Sequence, residues 1–378
     1  MTFTDLFNCP STLYLSVSFP AAQLQVAPCC CPRKMQLASG HKGAILEGEE
    51  WERQKRDWTG YGKGLVRLEP GRWLFPAPFL KFGDKYYNFK FQPSDVVVMT
   101  YSKSGTTWMQ EIVWTMRNNP ELDHPMTNTH IFARSPFLEM DMIAASSDKP
   151  PPANHPMVQA FFRMCPGKNP LDGLQLQITE VLPSPRTIKT HLPFSLLDPA
   201  LLDTSKVVVV VRNPKDVIMS FHHHCRLISL HGYVGSFEEF VQYFVDDDLM
   251  YGPYWLHLKE VWEKKDHPNM HLIFYEDLKA DTMKQLKRLD AFLGTGLTEA
   301  QLKNLEHHTS FKEMKTRAEA LGGDNEMFNA DVLKNDGGFF RKGQSGDWKG
   351  KLTPELEAKV DQYIQKKLSD LQIPFKFS

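Results

Sequence analysis

The stretch Tyr101-Ser-Lys-Ser-Gly-Thr-Thr-Trp108 gathers groups that favour an anion. Lys103 offers a mobile positive charge, and Ser104, Thr106 and Thr107 offer hydroxyl donors. Gly105 lets backbone come close to a ligand. Where such a turn opens a helix, free amides converge on one point, and a phosphate is the expected guest. The order of residues is not that of a nucleoside-triphosphate loop, in which Lys follows the last Gly; here Lys103 precedes Gly105. No acidic residue closes the run Val207–Val211, where a magnesium-holding Asp would be sought. The pattern therefore points to phosphate held without a metal.

Further chemistry lies downstream. Lys189-Thr-His191 ends a short strand-like run, and strand alternation puts Lys189 and His191 on one side. A histidine among basic groups is kept neutral and can accept a proton, which suits a general base acting on a hydroxyl. Arg212 follows the valine run, with Ser220 eight residues later, so a second phosphate contact is expected there. Arg341-Lys-Gly343, in a basic loop reaching Trp348, can clamp an anion through Arg341 and the amides of Lys342 and Gly343. Phe311, Met314 and Trp108 can sandwich a purine. His222-His223-His224 fan to different faces of a helix, with His222 at most facing a site, and His307 and His308 read as surface or cap groups. No metal site is expected.

Elements must position these groups. The run Ser94-Asp-Val-Val-Val-Met-Thr-Tyr101 reads as a buried strand, and Trp108, Ile112, Val113 and Met116 recur at helical spacing after it. Arg186–Leu192, Val207–Val211 and Met270–Phe274 read as further strands. Asn213-Pro214 opens one helix, and Gly294 stops another. Thr298 with Gln301 forms a capping box, and Thr353-Pro354 opens the last helix. Buried strands each followed by a helix specify an α/β fold with a central parallel sheet flanked by helices. Residues 44–378 read as one domain, in which the proline-rich stretch 120–186 is a substrate-side insert or lid.

Composition agrees with an enzyme. The 378 residues balance 44 basic against 45 acidic groups, and 42% are hydrophobic, enough for a large core. Near-neutrality argues against a nucleic-acid binder. Four of the six cysteines fall before residue 32, which is no disulfide framework and fits a reducing, cytoplasmic setting. Residues 1–43 contain no basic residue before Arg33 and read as a weakly ordered tail rather than a secretory signal. No apolar stretch is long enough to span a membrane.

In order from Asp95 to Trp348, these motifs resemble those of the cytosolic sulfotransferases. Members of that family move a sulfuryl group from 3'-phosphoadenosine 5'-phosphosulfate (PAPS) to a hydroxyl or amine and release PAP. The matching features are Ser102–Trp108, Lys189–His191, Arg212–Ser220, Tyr275-Glu-Asp, Thr309-Ser-Phe311 and Arg341–Gly343. The resemblance implies a P-loop-like nucleotide-binding sulfotransferase fold. It implies that Lys103, Ser104, Gly105, Thr106 and Thr107 hold the 5'-phosphosulfate, and that Arg212, Ser220, Arg341, Lys342 and Gly343 hold the 3'-phosphate. Trp108, Tyr275, Thr309 and Phe311 would surround adenosine. His191 would take the acceptor's proton as its oxygen attacks in line, and Lys103 and Lys189 would offset developing charge.

Departures bear on the acceptor and on assembly. Ser102 stands where the family usually has Pro, and the interval from Lys103 to His191 is longer than in vertebrate members. In this it is similar to the insert of insect retinol dehydratase, a relative that uses PAPS to drive dehydration. Phe132, Phe137, Met140, Met142, Phe161, Phe162 and Met164 either line an apolar cavity or pack the insert. A small lipophilic phenol, sterol or other alcohol is the expected partner. The alternatives are a dehydratase acting through a transient sulfate ester, a small-molecule kinase, and a non-catalytic PAPS- or lipid-binding relative. The family's dimer motif is broken, with Pro354 after Thr353, Ala358 in the acidic position and Glu357 one place early, which favours a monomer.

Overall fold

A computed structural model describes residues 34–146, 155–321 and 327–376. The chain enters through a four-stranded antiparallel sheet, β1 (Lys34–Gln36), β2 (Lys42–Ile45), β3 (Leu65–Glu69) and β4 (Trp73–Pro76), in that spatial order. The reading of residues 1–43 as a tail is thus corrected from Lys34 onward. Ser39-Gly40 has the composition of a tail but makes the β1–β2 turn, with Gly40 at φ +85° and its amide donating to Leu37 O at 2.9 Å. Leu37 and Leu46 on either side are buried in the main core. Residues 1–33, including the Cys29–Cys31 triplet, lie outside the described residues.

The second sheet is the parallel one foreseen from the sequence. β5 (Val96–Met99), β6 (Thr187–Thr190), β7 (Lys206–Val211) and β8 (Met270–Phe274) lie in the order β6-β5-β7-β8. The valine run is apolar throughout because both faces are covered. Val97, Met99, Val207, Val209 and Val211 enter one core, whereas Val96, Val98, Val208 and Val210 enter another on the opposite face.

Helices follow the strands as the local signals dictate. Thr106–Asn118 follows β5, Pro214–Leu227 follows β7, and Tyr275–Ala280 and Thr282–Leu293 follow β8. Asn213 caps its helix by accepting from the Lys215 amide at 2.9 Å. Gly294 closes another at φ +74°. Thr298 and Gln301 form the capping box, and Thr353 caps Pro354–Leu368.

The stretch 120–186 folds as short helices, among them Ile131–Arg134, Met140–Ala144, Pro156–Met164 and Leu174–Val181. Polar anchors tie it down. Buried Arg134 grips Glu111 through two bonds of 3.0 and 2.7 Å. Asp141 accepts the amides of Gln175 and Leu176 at 3.0 and 2.8 Å, closing the start of the last of these helices. Pro136 O accepts the Lys189 amide and Leu138 N donates to Lys189 O, at 2.8 and 2.9 Å, so the insert runs briefly beside β6.

Candidate active site

The C-terminal ends of β5, β6 and β7 open into one cavity, where strand order reverses about β5. Between β5 and its helix the backbone turns left-handed at Lys103 (φ +65°) and Gly105 (φ +113°). Gly105 is doubly constrained, since a Cβ there would stand 2.8 Å from Tyr275 Cδ2. The helix that follows has no side-chain cap, which leaves its first amides available to a ligand. Ser104 Oγ is buried and has no hydrogen-bond partner among the described residues. Lys103 Nζ has no carboxylate partner there either and rests 4.4 Å from the centre of the Phe339 ring. Burial, with Lys189 and Arg212 adding repulsion, pulls its pKa from 10.5 down to about 7.

His191 lies at the end of β6, packed between Phe137 and Tyr251 with ring centres 5.2 Å away on each side. Its Nδ1 is 2.8 Å from Thr100 O. A carbonyl only accepts, so Nδ1 carries the hydrogen and Nε2 keeps its lone pair. Burial, then the charge of Lys189, hold the imidazole well below its ordinary pKa, so it is neutral. Lys189 lies with Nζ 3.8 Å from the centre of Phe137, and burial lowers its pKa to about 8.

Glu139 organises this strand end. It accepts from the His191 amide at 2.6 Å and from Thr190 Oγ1 at 2.8 Å. Burial pushes its carboxyl up to about 7, opposed by those bonds and by Lys189. The sequence reading missed it. Its signal was a carboxylate set inside the apolar run Phe137-Leu-Glu-Met140, a burial that demands partners.

Arg212, after β7, joins two loops. Its guanidinium donates to Lys103 O at 3.1 Å and to Gln344 O at 3.0 Å, and lies 4.3 Å from the centre of Tyr275. Its Nε is buried with no partner among the described residues. Asp216 pins the last basic loop by accepting the amides of Gly346 and Asp347 at 2.8 and 2.9 Å. Asp347 in turn takes Arg341 at 2.9 Å and both Lys342 and Lys351 at 2.6 Å. Gly343, at φ +60°, lies against Phe311, whose ring a Cβ would strike at 2.3 Å. Asp216 and Asp347 were also missed, although an acid one helical turn from a phosphate-site arginine is the signal of a pinned loop.

The cavity wall brings together Lys103, Gly105, Thr106, Thr107, Trp108, Lys189, His191, Arg212, Ser220, Tyr275, Phe311, Met314, Arg341, Lys342 and Gly343. Ser104 and Thr309 are not on it. Thr309 is fully buried and its hydroxyl donates to Leu305 O at 2.8 Å, an ordinary helix-end bond. Of the apolar set expected at the acceptor, only Phe137 and Phe132 approach Lys189, at 3.8 and 5.6 Å. Met142 is in the main core and Met140 packs against it. Phe161 belongs to a separate small core with Cys165, Ile178 and Leu182, against which Met164 packs, and Phe162 is 37% exposed. The insert therefore uses part of its apolar residues for its own packing. The histidines also need correction. His222 packs on Phe237 and Phe240, while His223 and His224, three and four residues after Ser220, share its helical face and line the cavity. His308 is buried, with Arg317 donating to its carbonyl at 2.8 Å.

These residues fit a nucleotide with separated anionic groups: Lys103 and the uncapped amides of the helix start at one end, Arg212 and the basic loop at the other, and rings of Trp108, Tyr275 and Phe311 between. Known proteins point the same way. A sulfotransferase-domain family model matches residues 93–372. Sulfotransferase 1A1 of Rattus norvegicus is 34% identical over 297 residues, 76% of this chain and 89% of that protein. Sulfotransferase 1E1 of Homo sapiens is 33% identical over 306 residues, 80% and 93% of the two chains. Luciferin sulfotransferase of Photinus pyralis is 31% identical over 296 residues, 77% and 76%. Among solved structures, retinol dehydratase in complex with androsterone and the inactive cofactor PAP aligns with a TM-score of 0.75 at 28% identity, over 89% of this chain and 99% of that one. The fold and the matched motifs together place the chain in the sulfotransferase family, as a PAPS-dependent sulfotransferase.

Proposed function

We propose that the acceptor is a small lipophilic alcohol or phenol and that His191 removes its proton. The observation that carries this is the Nδ1–Thr100 O bond of 2.8 Å, which fixes the tautomer with Nε2 free to accept. PAPS, when bound, supplies the sulfuryl group. Lys103, with the hydroxyls of Thr106 and Thr107 and the free amides of the helix start, holds the 5' end. Arg212, Ser220, Arg341, Lys342 and Gly343 hold the 3'-phosphate, and Trp108, Tyr275, Phe311 and Met314 enclose the base. Lys103 and Lys189 offset charge that develops on oxygen during transfer, in a site where burial makes such charges count. Glu139 positions His191 and Thr190 without touching the reactants.

The chain acts as a monomer in this reading, since Glu357 and Asp361 on the last helix are engaged within the chain by Lys215 at 2.8 Å each. A cytoplasmic setting fits its two described cysteines, Cys165 and Cys225, both buried free thiols. Among the described residues no helix is long and apolar enough to cross a membrane.

His191→Ala tests the proposal. Transfer falls by ~10²–10⁴-fold, the usual worth of a positioned base, while PAP binding by calorimetry persists. Full activity in this variant removes His191 as the base. The structural likeness to retinol dehydratase favours one other reading, dehydration through a transient sulfate ester. Incubating lipophilic alcohols with PAPS and weighing the products separates them, a stable sulfate ester supporting transfer and an alkene supporting dehydration.

A further inference from the structure

The cavity wall holds a polar group that proton transfer does not use. His224 lies on the helix Pro214–Leu227, one turn beyond Ser220, and its ring faces the same cavity as Lys103, Lys189 and His191. Its Nδ1 is enclosed with no partner among the described residues, so Nε2 is the nitrogen that would meet a ligand. A second imidazole stands behind it. The His231 ring is centred 5.2 Å away and its Nδ1 is 2.7 Å from Tyr61 Oη, which holds that ring in place. Apolar Met219, Leu227, Phe339 and Phe340 line the cavity as well, alongside Ser220 and His223 of the same helix.

Phe339 fixes the scale. Lys103 Nζ is 4.4 Å from its centre and the His224 ring is 6.0 Å from it, so the phosphosulfate loop and His224 flank one aromatic side chain. Burial and the charges of Lys103 and Lys189 keep the imidazole neutral. It can exchange a hydrogen bond with a neutral oxygen but offers no charge to a carboxylate.

We propose that His224 recognises a second oxygen function on the acceptor, making the acceptor a diol, hydroxy-ketone or similar molecule and not a plain hydrocarbon alcohol. This rests on the reading of His191 as the base beside which the reacting hydroxyl lies. The physical reason is that a site built to hydrogen-bond an oxygen penalises an analogue that leaves its polar group unpaired in apolar surroundings.

The test uses phenol, catechol, resorcinol and hydroquinone on the PAP-loaded full chain, with binding by calorimetry and sulfated product by mass after exchange for PAPS. At least one diol is expected to bind about tenfold or more tightly than phenol, well above the factor of ~2 due to its two hydroxyls. In His224→Phe that advantage collapses to the statistical factor, and in His224→Gln, which keeps a hydrogen-bonding end, part of it returns. Overturning results are a wild-type protein that binds no diol better than phenol beyond the statistical factor, or an advantage that survives in His224→Phe. The wild-type series decides even if the Phe variant fails to fold. Tighter diol binding without any sulfated product would sink the reading of His191 as the base for these acceptors, and with it the second oxygen's role in acceptor choice; equal binding with product formed would overturn the His224 proposal alone.

Discussion

At the loop after β5, Lys103 has no carboxylate partner among the described residues and is dehydrated, while in the loop 341–347 Arg341 and Lys342 both lean on Asp347 and keep contact with solvent. The cost to Lys103 is visible. A pKa drawn from 10.5 to about 7 corresponds to roughly 5 kcal/mol against its charged form, a penalty that an anion in the cavity offsets. Arg341 and Lys342 need little such compensation because they keep contact with solvent and share the Asp347 carboxylate with Lys351, and Asp216 holds their loop's backbone. One loop stores electrostatic strain beside the reacting centre, and the other is a prefolded clamp. In the proposed reading, charge near the chemistry is held ready, whereas charge at the 3'-phosphate serves to position.

Three measurements press on that difference. The largest effect is expected from Lys103→Met, which lowers kcat by about 10²–10³-fold, the worth of one donor aimed at developing charge. An unchanged kcat would abolish the contrast between the loops. Next comes Arg341→Ala. It should weaken PAP about 10- to 150-fold, a hydrogen bond to a charged group being worth ~1.5–3 kcal/mol, with kcat nearly intact; a kcat loss matching that of Lys103→Met would make the two loops equivalent.

The smallest effect is in pH. Bound PAP raises the pKa of Lys103 above its free value of about 7, so binding takes up a proton wherever the free lysine is partly neutral. Affinity then declines as pH rises above 7, by less than about tenfold per pH unit for a single group. Calorimetry in buffers of different ionisation enthalpy reads this uptake directly, and Lys103→Met should erase most of it. Uptake that persists in that variant would assign the proton to Lys189, whose free value is about 8.

A second contrast concerns legibility. The parallel sheet is readable because Val96–Met99 and Lys206–Val211 are buried on both faces, so nearly every residue in them is apolar. The antiparallel sheet is not. β1 and β2 are short and partly polar, and their place is set by pairing, β1 on β2 and β2 on β3, rather than by any local preference. In the insert the prolines and the apolar residues are plain to see, but Phe161 and Phe132 look alike in sequence. One closes a small core while the other stands near Lys189. In the helix after β7, one residue of phase separates His222 from His223 and His224, and about 100° per residue is enough to turn a ring from the site into the core.

The sequence by itself determined the glycine-containing turn of Lys103, the strand-end pair Lys189 and His191, and the order of strands and helices that carries them. Those depend on residue types and spacings along one stretch of chain. Only the tertiary structure decided that Glu139 comes from the insert to hold His191, that Thr100 sets its tautomer, and that Arg212 ties the loop of Lys103 to the loop of Gln344. It likewise left His224 facing the cavity, its Nδ1 with no partner among the described residues. These are contacts between groups 52 to 132 residues apart, made by packing two cores onto a sheet, and no local pattern encodes which buried polar group will meet which.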